Sequence, residues 1–339
     1  MTNSFKYKIT IAMPILNEAI NIDKTIKSII SNNMSFDEAE LLIIDGGSTD
    51  NTLDIIREHT NALNIRIIDY PGSTVYQALN LALENAQGEF FVRIDARSQI
   101  PPSYIKSCIN NMNITHASCA GGIQFQYGIN LFSKAVSYVV SKKFGNGGAK
   151  FRNSDNSGFV DSVYLGVYKT EQLRNLNGFE DQARYVSEDS LINKRIRDAG
   201  GRIFLDATLK VLYPAKSNLK DLLKQYFIYG AARSSVFKKY KTLTSFRQAI
   251  PILFIFFWIL SLISYLIGFL SLKFFSLLIF GYLSLIVLIN IRDLQDNFFT
   301  TLFYRSIATL SIHFIWPLGF LLYLISPSLH QRFMNFIFS

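Results

Sequence analysis

The sequence predicts an α/β protein with a mostly parallel sheet flanked by helices, followed by helices that cross a membrane. Three observations predict it. Up to Ile94, short apolar runs of strand length alternate with segments whose apolar residues recur at helical spacing. Strand-like runs lead into acidic residues, Asp45 and Asp95. The charge-poor stretches gather after Ala249, although the whole 339-residue chain is 17% charged and 49% hydrophobic.

Residues 9–14 read as the first strand, and Asn17-Glu18 as the loop after it. Ile22, Ile26, Ile29 and Ile30 then share one helical face. Residues 41–44 form a continuously apolar second strand that ends in the turn Asp45-Gly46-Gly47-Ser48-Thr49-Asp50, with a helix through Leu53 and Ile56. A third strand, 65–68, stops at Pro71-Gly72, and Val75, Leu79, Ala82, Leu83 and Ala86 line the next helix. Residues 90–94 are the fourth strand. Strands alternating with amphipathic helices imply a parallel sheet covered on both faces. Beyond it the pattern is less regular. A strand is expected at 121–125, a flexible glycine-rich basic loop at 145–152, a single strand carrying Asp161 at 158–168, and a helix at 187–199 closed by Gly200-Gly201.

Leu219, Leu222, Leu223, Tyr226 and Phe227 give a later helix one apolar face. Lys220, Lys224, Lys238, Lys239 and Lys241 surround that face, which suits a helix at an anionic membrane surface. Residues 251–272 carry no charge and reach the ~20 residues that span hydrocarbon. A second uncharged run covers 274–291, a polar loop 292–305, and a third run 306–329, interrupted by His313 and Trp316-Pro317, that either spans or re-enters. Basic residues before the first span and around the loop after the second place both on the cytoplasmic side. Three spans then leave the C-terminus outside. The expected domains are a cytoplasmic catalytic domain at 1–215, an interfacial helix region at 216–248 and a membrane domain at 249–339 with two to three transmembrane helices. No secretory signal is expected at the N-terminus, which reaches polar Asn17 and Glu18 early.

The net charge of +9 suits anionic lipid or phosphorylated ligands. Nucleic acid is not an expected partner, since neither a long Lys/Arg block nor an RNA-binding signature is present. Cys108 and Cys119 lack CxxC spacing and read as buried thiols in a reducing compartment.

The chemistry centres on FFVRIDAR at 90–97. A strand leading into Asp95 brings a carboxylate to the carboxyl edge of the sheet, where open α/β sheets bind ligands. A carboxylate there can hold a divalent cation, and the cation a diphosphate. Asp45-Gly46-Gly47 sits at another strand end, where glycines allow close backbone approach. Asp45 can accept a hydrogen bond from a nucleobase, or simply make the turn. The pattern is not a P-loop, and no GxGxxG follows a strand.

IAMPILNEA, LLIIDGGSTDNT, QALNLALENAQGEFFVRIDAR, VDSVYLGVY, VSEDSLINKR and QYFIYG, in this order, resemble the family 2 glycosyltransferases. Within them the chain looks most like the succinoglycan-type bacterial branch with a C-terminal membrane anchor. The resemblance covers about residues 8–235. It implies a GT-A fold, the nucleotide-diphospho-sugar transferase fold. Carried over residue by residue, it implies that Pro14, Asn17, Glu18 and Gly47 line the nucleotide pocket and that Asp45 meets the base. Asn80 and Arg93 would support the sugar-nucleotide pocket. Asp95 is similar to the first acid of an Asp-x-Asp element that positions Mg2+ or Mn2+ on the diphosphate. Asp189 matches the general base, Glu188 an orienting or acceptor-binding group. Gln225, Tyr226, Tyr229 and Arg233 match the region that closes over donor and acceptor.

Arg97 departs from this pattern, standing where the family has Asp, or His in the succinoglycan-type branch. A guanidinium cannot ligate a cation, but it can pair bidentately with phosphate. It can equally be a surface residue beside the site. For Asp189 the bland alternative is an acid in the first turn of a helix, where the macrodipole favours negative charge. One dedicated base without a second carboxylate nucleophile fits inversion at the anomeric carbon.

The expected activity is that of an inverting hexosyltransferase, multi-pass in the bacterial cytoplasmic membrane. It would move sugar from a nucleotide-sugar, expected to be a UDP-sugar, to a lipid-linked saccharide in surface polysaccharide biosynthesis. Membrane lipids and other polysaccharide-assembly proteins are the remaining expected partners. Two alternatives stay open: transfer to polyprenyl phosphate itself, and a nucleotide-binding membrane subunit that has lost catalysis.

Overall fold

The computed structural model describes residues 5–35, 37–152, 154–180, 188–243, 245–294 and 297–338. In chain order the elements begin with β1 (Tyr7–Ile15), α1 (Ile22–Ile30), β2 (Ala39–Asp45), α2 (Thr52–Arg57), β3 (Ile65–Asp69), α3 (Val75–Asn85) and β4 (Gly88–Arg93). Next come α4 (Tyr104–Thr115), β5 (Cys119–Tyr127), α5 (Leu131–Ser141), α6 (Lys143–Asn146), β6 (Gly158–Val160), β7 (Tyr164–Lys169) and α7 (Thr170–Asn175). The chain continues through α8 (Glu188–Asp198), β8 (Ile203–Pro214), α9 (Leu219–Tyr240), α10 (Ala249–Leu266), α11 (Leu272–Asn290), α12 (Phe298–Ile325) and α13 (Pro327–Phe338). They divide into two units. The first takes the described residues of Met1–Phe125, Lys150–Arg184 and Glu188–Tyr213, the second those of Gln126–Ala149 and Pro214–Ser339. Residues 126–149, expected within a first domain ending at 215, group instead with the C-terminal helices.

In the first unit β1 is flanked by β2 and β4, both parallel to it, so that Ile15 stands level with Asp45 and Ala12 with Arg93. β3 extends this half in parallel beyond β2. The full order is β3-β2-β1-β4-β7-β5-β8-β6. The expectation of a mostly parallel sheet holds only for the first half, since β7 runs antiparallel to β4 and to β5, and β6 antiparallel to β8. The expected strand at 158–168 is two strands. β6 lies at the sheet edge and β7 between β4 and β5, with a break at 161–163. The expected glycine-rich loop is also partly helical. α6 ends at Gly147, whose φ of +63° suits a residue without a Cβ, and a 3-10 turn follows at Lys150–Arg152.

Alternation along β1 builds the two faces. Ile9, Ile11, Met13 and Ile15 join one core with Ile22, Ile26 and Ile29 of α1 and Tyr104 and Ile105 of α4. Ala12 faces the opposite core with Leu79, Ala82 and Leu83 of α3 and Ile192 and Ile196 of α8. This second core sets the N-terminal turn of α8, which begins with Glu188 and Asp189.

In the second unit Leu222 and Tyr226 of α9 share a buried cluster with Phe132, Val136 and Val139 of α5 and Ala308 and Ile312 of α12. The face expected to lie on a membrane surface is thus partly covered by protein. α9 and α12 approach backbone to backbone. A Cβ at Gly230 would overlap the Trp316 carbonyl, and one at Gly319 the Phe227 carbonyl. The expected loop at 292–305 is shorter than expected, because α12 starts at Phe298 and includes Arg305. Pro317 does not interrupt the helix. The third apolar run instead ends at extended Ser326, and Pro327 opens α13, the helix position where its missing N–H has no intrahelical partner to lose.

Because backbone lies against both glycines, neither neighbour can yield. Gly230→Leu is expected to destabilise the full chain by about 3 kcal/mol or more, the upper range of overpacking. Thermal unfolding in detergent measures this. An unchanged Tm would mean that α9 and α12 do not touch there.

Candidate active site

Arg93 ends β4 and is buried with a side chain 9% exposed. Its Nε donates to Asp95 Oδ1 at 2.8 Å, and its Nη2 meets Glu188 Oε1 at 2.6 Å. Burial acts to lower the guanidinium pKa. The charges of Asp95, Glu188 and Asp189 outweigh it and hold the group well above its usual value. All three carboxylates therefore act on one cation. Arg93 Nη1 is buried and has no partner among the described residues.

Glu188 is 4% exposed. Burial raises its carboxyl above the usual range, Arg93 opposes, and the neighbouring charges of Asp189 and Asp95 reinforce the rise. Asp189 Oδ1 accepts from the Ser190 backbone N–H at 2.6 Å in the first turn of α8. The helix is held in place by Arg195, which donates to the carbonyls of Gly178 (2.8 Å) and Leu176 and pairs with Glu180 at 3.2 Å. The same turn is fixed from α3. Asn80 accepts from Phe179 N–H and donates to Phe179 C=O, both at 2.7 Å. The Asn80 amide, expected to support the sugar-nucleotide pocket, is committed to this backbone.

Tyr164 was not singled out from the sequence. Its hydroxyl donates to Asp95 Oδ2 at 3.1 Å and lies 2.7 Å from Ser98 Oγ. Burial and then the Asp95 charge push the phenol pKa well up, so it stays a donor. The only sequence signal was its place in the VDSVYLGVY stretch.

The loops after β1 and β2 are stitched together. Asn17, at φ +53°, accepts from Thr49 N–H at 2.8 Å and donates its own N–H to Ser48 Oγ at 3.0 Å. Asp45 is 3% exposed and takes the Ser48 N–H and hydroxyl, the latter at 2.6 Å. Gly47, at φ +96°, completes this turn. Pro14 lies on β1 level with Ile44. Arg97 crosses from the β4 side, its Nε donating to Glu18 Oε1 at 2.6 Å with the side chain still 40% exposed. Burial opposes its charge, but Glu18 outweighs it and raises its pKa.

Asp45, Arg93, Asp95, Arg97, Asn17 and Glu18 thus gather at the carboxyl edge of β1, β2 and β4, with Glu188 joined to them through Arg93 and Asp189 beside it in the first turn of α8. Gln225, Tyr226, Tyr229 and Arg233 lie on α9 in the other unit, where Gln225 Nε2 donates to the Tyr229 hydroxyl at 2.9 Å.

Among the described residues no group of three or more His, Cys, Asp or Glu forms a ready metal cage. Asp95 fits a single-carboxylate anchor. Each oxygen accepts one donor, the side chain is 27% exposed, and ionised carboxylate oxygens have further lone pairs. Mg2+ suits such a site, keeping waters and taking phosphate oxygens besides one or two carboxylates.

Residues 10–173 match the family model described as glycosyl transferase family 2. The chain is 29% identical over 246 residues to the succinoglycan biosynthesis protein ExoA of Rhizobium meliloti (strain 1021), covering 71% of this chain and 74% of that one. It is 26% identical over 239 residues to a Methanococcus voltae protein, covering 68% and 74%. That relative is named dolichyl N-acetyl-alpha-D-glucosaminyl phosphate 3-beta-D-2,3-diacetamido-2,3-dideoxy-beta-D-glucuronosyltransferase. The mannosyltransferase PcManGT of Pyrobaculum calidifontis, solved with GDP-Man and Mn2+, shares the fold at TM-score 0.62 and 17% identity, over 92% of this chain and 88% of that one.

Removing the shared cation leaves buried carboxylates uncompensated. Arg93→Met is expected to destabilise the protein by about 3–5 kcal/mol, as breaking a buried pair does. The sign with pH follows from Glu188, whose folded pKa lies above its ordinary value. A group so raised contributes stability below its unfolded pKa and loses it as pH rises through the folded one. The deficit of Arg93→Met should therefore shrink toward acid pH, and Arg93→Met/Glu188→Gln should recover part of it. Thermal unfolding across pH checks both.

Proposed function

We propose, for a chain that carries a glycosyl transferase family 2 domain and is a glycosyltransferase, that it moves a sugar from a nucleoside-diphosphate donor to a lipid-linked saccharide with inversion. The observation that carries this reading is that Arg93 contacts both Asp95 and Glu188, the residue next to Asp189 in the first turn of α8. One buried cation thus joins the proposed donor end to the turn that carries the proposed base. Asp189 takes the proton from the acceptor hydroxyl as the sugar transfers. Glu188 stays paired with Arg93 and orients the first turn of α8. Asp45, Asn17 and Gly47 form the base-side wall, and Asp95 meets the diphosphate.

A divalent cation held by Asp95 and phosphate oxygens would offset the charge that develops on the departing nucleoside diphosphate. Arg97 supplies positive charge from the protein side. Its guanidinium is partly exposed and reaches Glu18 through Nε, and the same group can pair with phosphate oxygens. Support for a UDP-sugar is the resemblance alone. Support for a lipid-linked acceptor comes from the apolar helices α10 to α12 and from the Methanococcus voltae relative, whose name specifies a dolichyl-phosphate-linked sugar acceptor. Gln225, Tyr226, Tyr229 and Arg233 are proposed to contact acceptor or donor.

Asp189→Asn is expected to lower kcat by ~10²–10⁴, the usual contribution of a positioned base, with donor affinity unchanged. Radiolabelled UDP-sugars supplied to membranes, followed by lipid extraction, measure this. Equal transfer by wild type and variant would remove Asp189 from its role. A product with one sugar on a single phosphate would move the acceptor to polyprenyl phosphate.

Arg97→Ala is expected to weaken UDP binding by ~10–100-fold in EDTA, the worth of a charged hydrogen bond. Arg97→Asp should make binding depend more steeply on added Mn2+ than wild type. Calorimetric titration with UDP separates these outcomes. Unchanged affinity in both variants would return Arg97 to a surface residue.

A further inference from the structure

The third candidate span is unlike the first two. In α10 and α11 only 6% of the apolar window is buried within the protein, against 44% in α12. α10 exposes Leu253, Phe257, Leu260 and Leu266 along its length, and α11 exposes Phe274, Leu277, Phe280 and Leu288. Large exposed apolar side chains on α12 are confined to its ends, at Phe298, Phe299, Phe303 and Ile325. Its middle carries no large exposed apolar side chain and is more buried than α10 or α11, so it offers lipid chains less surface than they do.

What covers it is α9, and the two helices run side by side in the same direction. Leu222 and Tyr226 share a cluster with Ala308 and Ile312. Gly230 then meets the backbone of Trp316, Phe237 packs on Phe320 with ring centroids 6.1 Å apart, and Lys238 Nζ donates to Tyr323 O at 3.3 Å. If α12 crossed the hydrocarbon, α9 would have to cross with it. Between Lys224 and Lys238 there is only about 20 Å of helix at ~1.5 Å per residue, short of the ~30 Å hydrocarbon core. That stretch also contains Gln225, Arg233, Ser234 and Ser235. An Arg or Lys at the centre of a span costs about 2.5–3.5 kcal/mol.

The hairpin of α10 and α11 has its own closed geometry. Tyr265 stacks on Phe275 near the tip, with centroids 5.0 Å apart, and Phe254 meets Tyr282 at 5.3 Å near mid-length of α11. α12 runs along the half of it that lies away from the tip, from Asn290 up to Trp258 and Tyr282 at mid-length. Arg305 donates to the carbonyls of Asn290 and Arg292 at 3.1 and 2.6 Å, where a cation also suits the negative end of α11. Phe314 packs on Phe254, and His313 receives or gives the Tyr282 hydroxyl bond at 2.8 Å. Basic residues also sort with this division. Lys238, Lys239, Lys241 and Arg247 precede α10, Arg292 follows α11, and the tip carries Lys273.

We infer that α10 and α11 alone cross the bilayer, as a hairpin, and that α12 lies beside α9 at the membrane surface, so α13 is on the same side as the start of α10. Of the expected two to three transmembrane helices this keeps two, and the C-terminus outside that three spans would give does not follow. It rests on the C-terminal unit and holds whatever sugar the catalytic unit transfers.

Single cysteines in the full chain test it, since Cys108 and Cys119 are buried. Thr242→Cys, Lys273→Cys and Ser328→Cys are exposed positions before α10, at the tip and in α13. They are labelled with an impermeant maleimide in sealed right-side-out and inverted vesicles. The expected result is that positions 242 and 328 label at least tenfold better in one vesicle type and 273 in the other. Label at 328 grouping with 273 would show that α12 spans and overturn the inference. All three grouping together would show that the hairpin does not cross. Alkaline phosphatase fused after α13 gives a second reading, independent of cysteine reactivity: inactive supports the hairpin, active overturns it.

Discussion

The buried guanidinium of Arg93 is the constraint on which the catalytic unit depends. It stands at the end of β4, next to the strand at the centre of the parallel half, and carboxylates from two separate parts of the chain act on it. Glu188 alone would be costly to bury. Arg93 makes the cluster tolerable because one cation is shared among Asp95, Glu188 and Asp189. It also fixes distances that sequence order does not. Asp95 follows it on the same segment, whereas Glu188 arrives only after β5 to β7 and α7 have been laid down.

The parallel half of the sheet was legible because each strand there is followed by a helix with apolar residues at helical spacing. Ile22, Ile26 and Ile29 could be read as a face, and they do pack on the odd residues of β1. The antiparallel half was not legible, because β7 is inserted between β4 and β5 out of chain order. No local pattern announces that a strand will fill a slot between two earlier ones. Tyr164 was missed for the same reason. Its chemistry with Asp95 exists only because β7 lies beside β4. Asn80 was noticed for a different reason than the one its contacts show: its amide holds the Phe179 backbone, a use that residue type alone does not reveal.

Hydropathy reported α12 as a span because it measures composition, not what covers the helix. The difference between α11 and α12 lies in their neighbours. The glycines that let α9 and α12 touch were visible at positions 230 and 319, yet nothing in either segment says that they face each other. The charged residues of α9 then become informative about α12, although they lie far away in sequence. A helix that cannot enter hydrocarbon restrains any helix packed along it.

The same principle of shared charge governs the crevice at the sheet edge. Arg93 is already committed to carboxylates, so it adds little net positive charge for an arriving diphosphate. Arg97 differs in that, among the described residues, its contact carboxylate is Glu18 and its side chain is 40% exposed. The diphosphate proposed to bind at this edge would meet Glu18 and Asp95 as well as Arg97. The local balance is therefore acidic unless a cation comes with the ligand or Arg97 is released from Glu18. Both routes pass through Asp95 and Arg97, two residues apart on one loop. In the proposed binding mode, then, Glu18 competes with the diphosphate for Arg97.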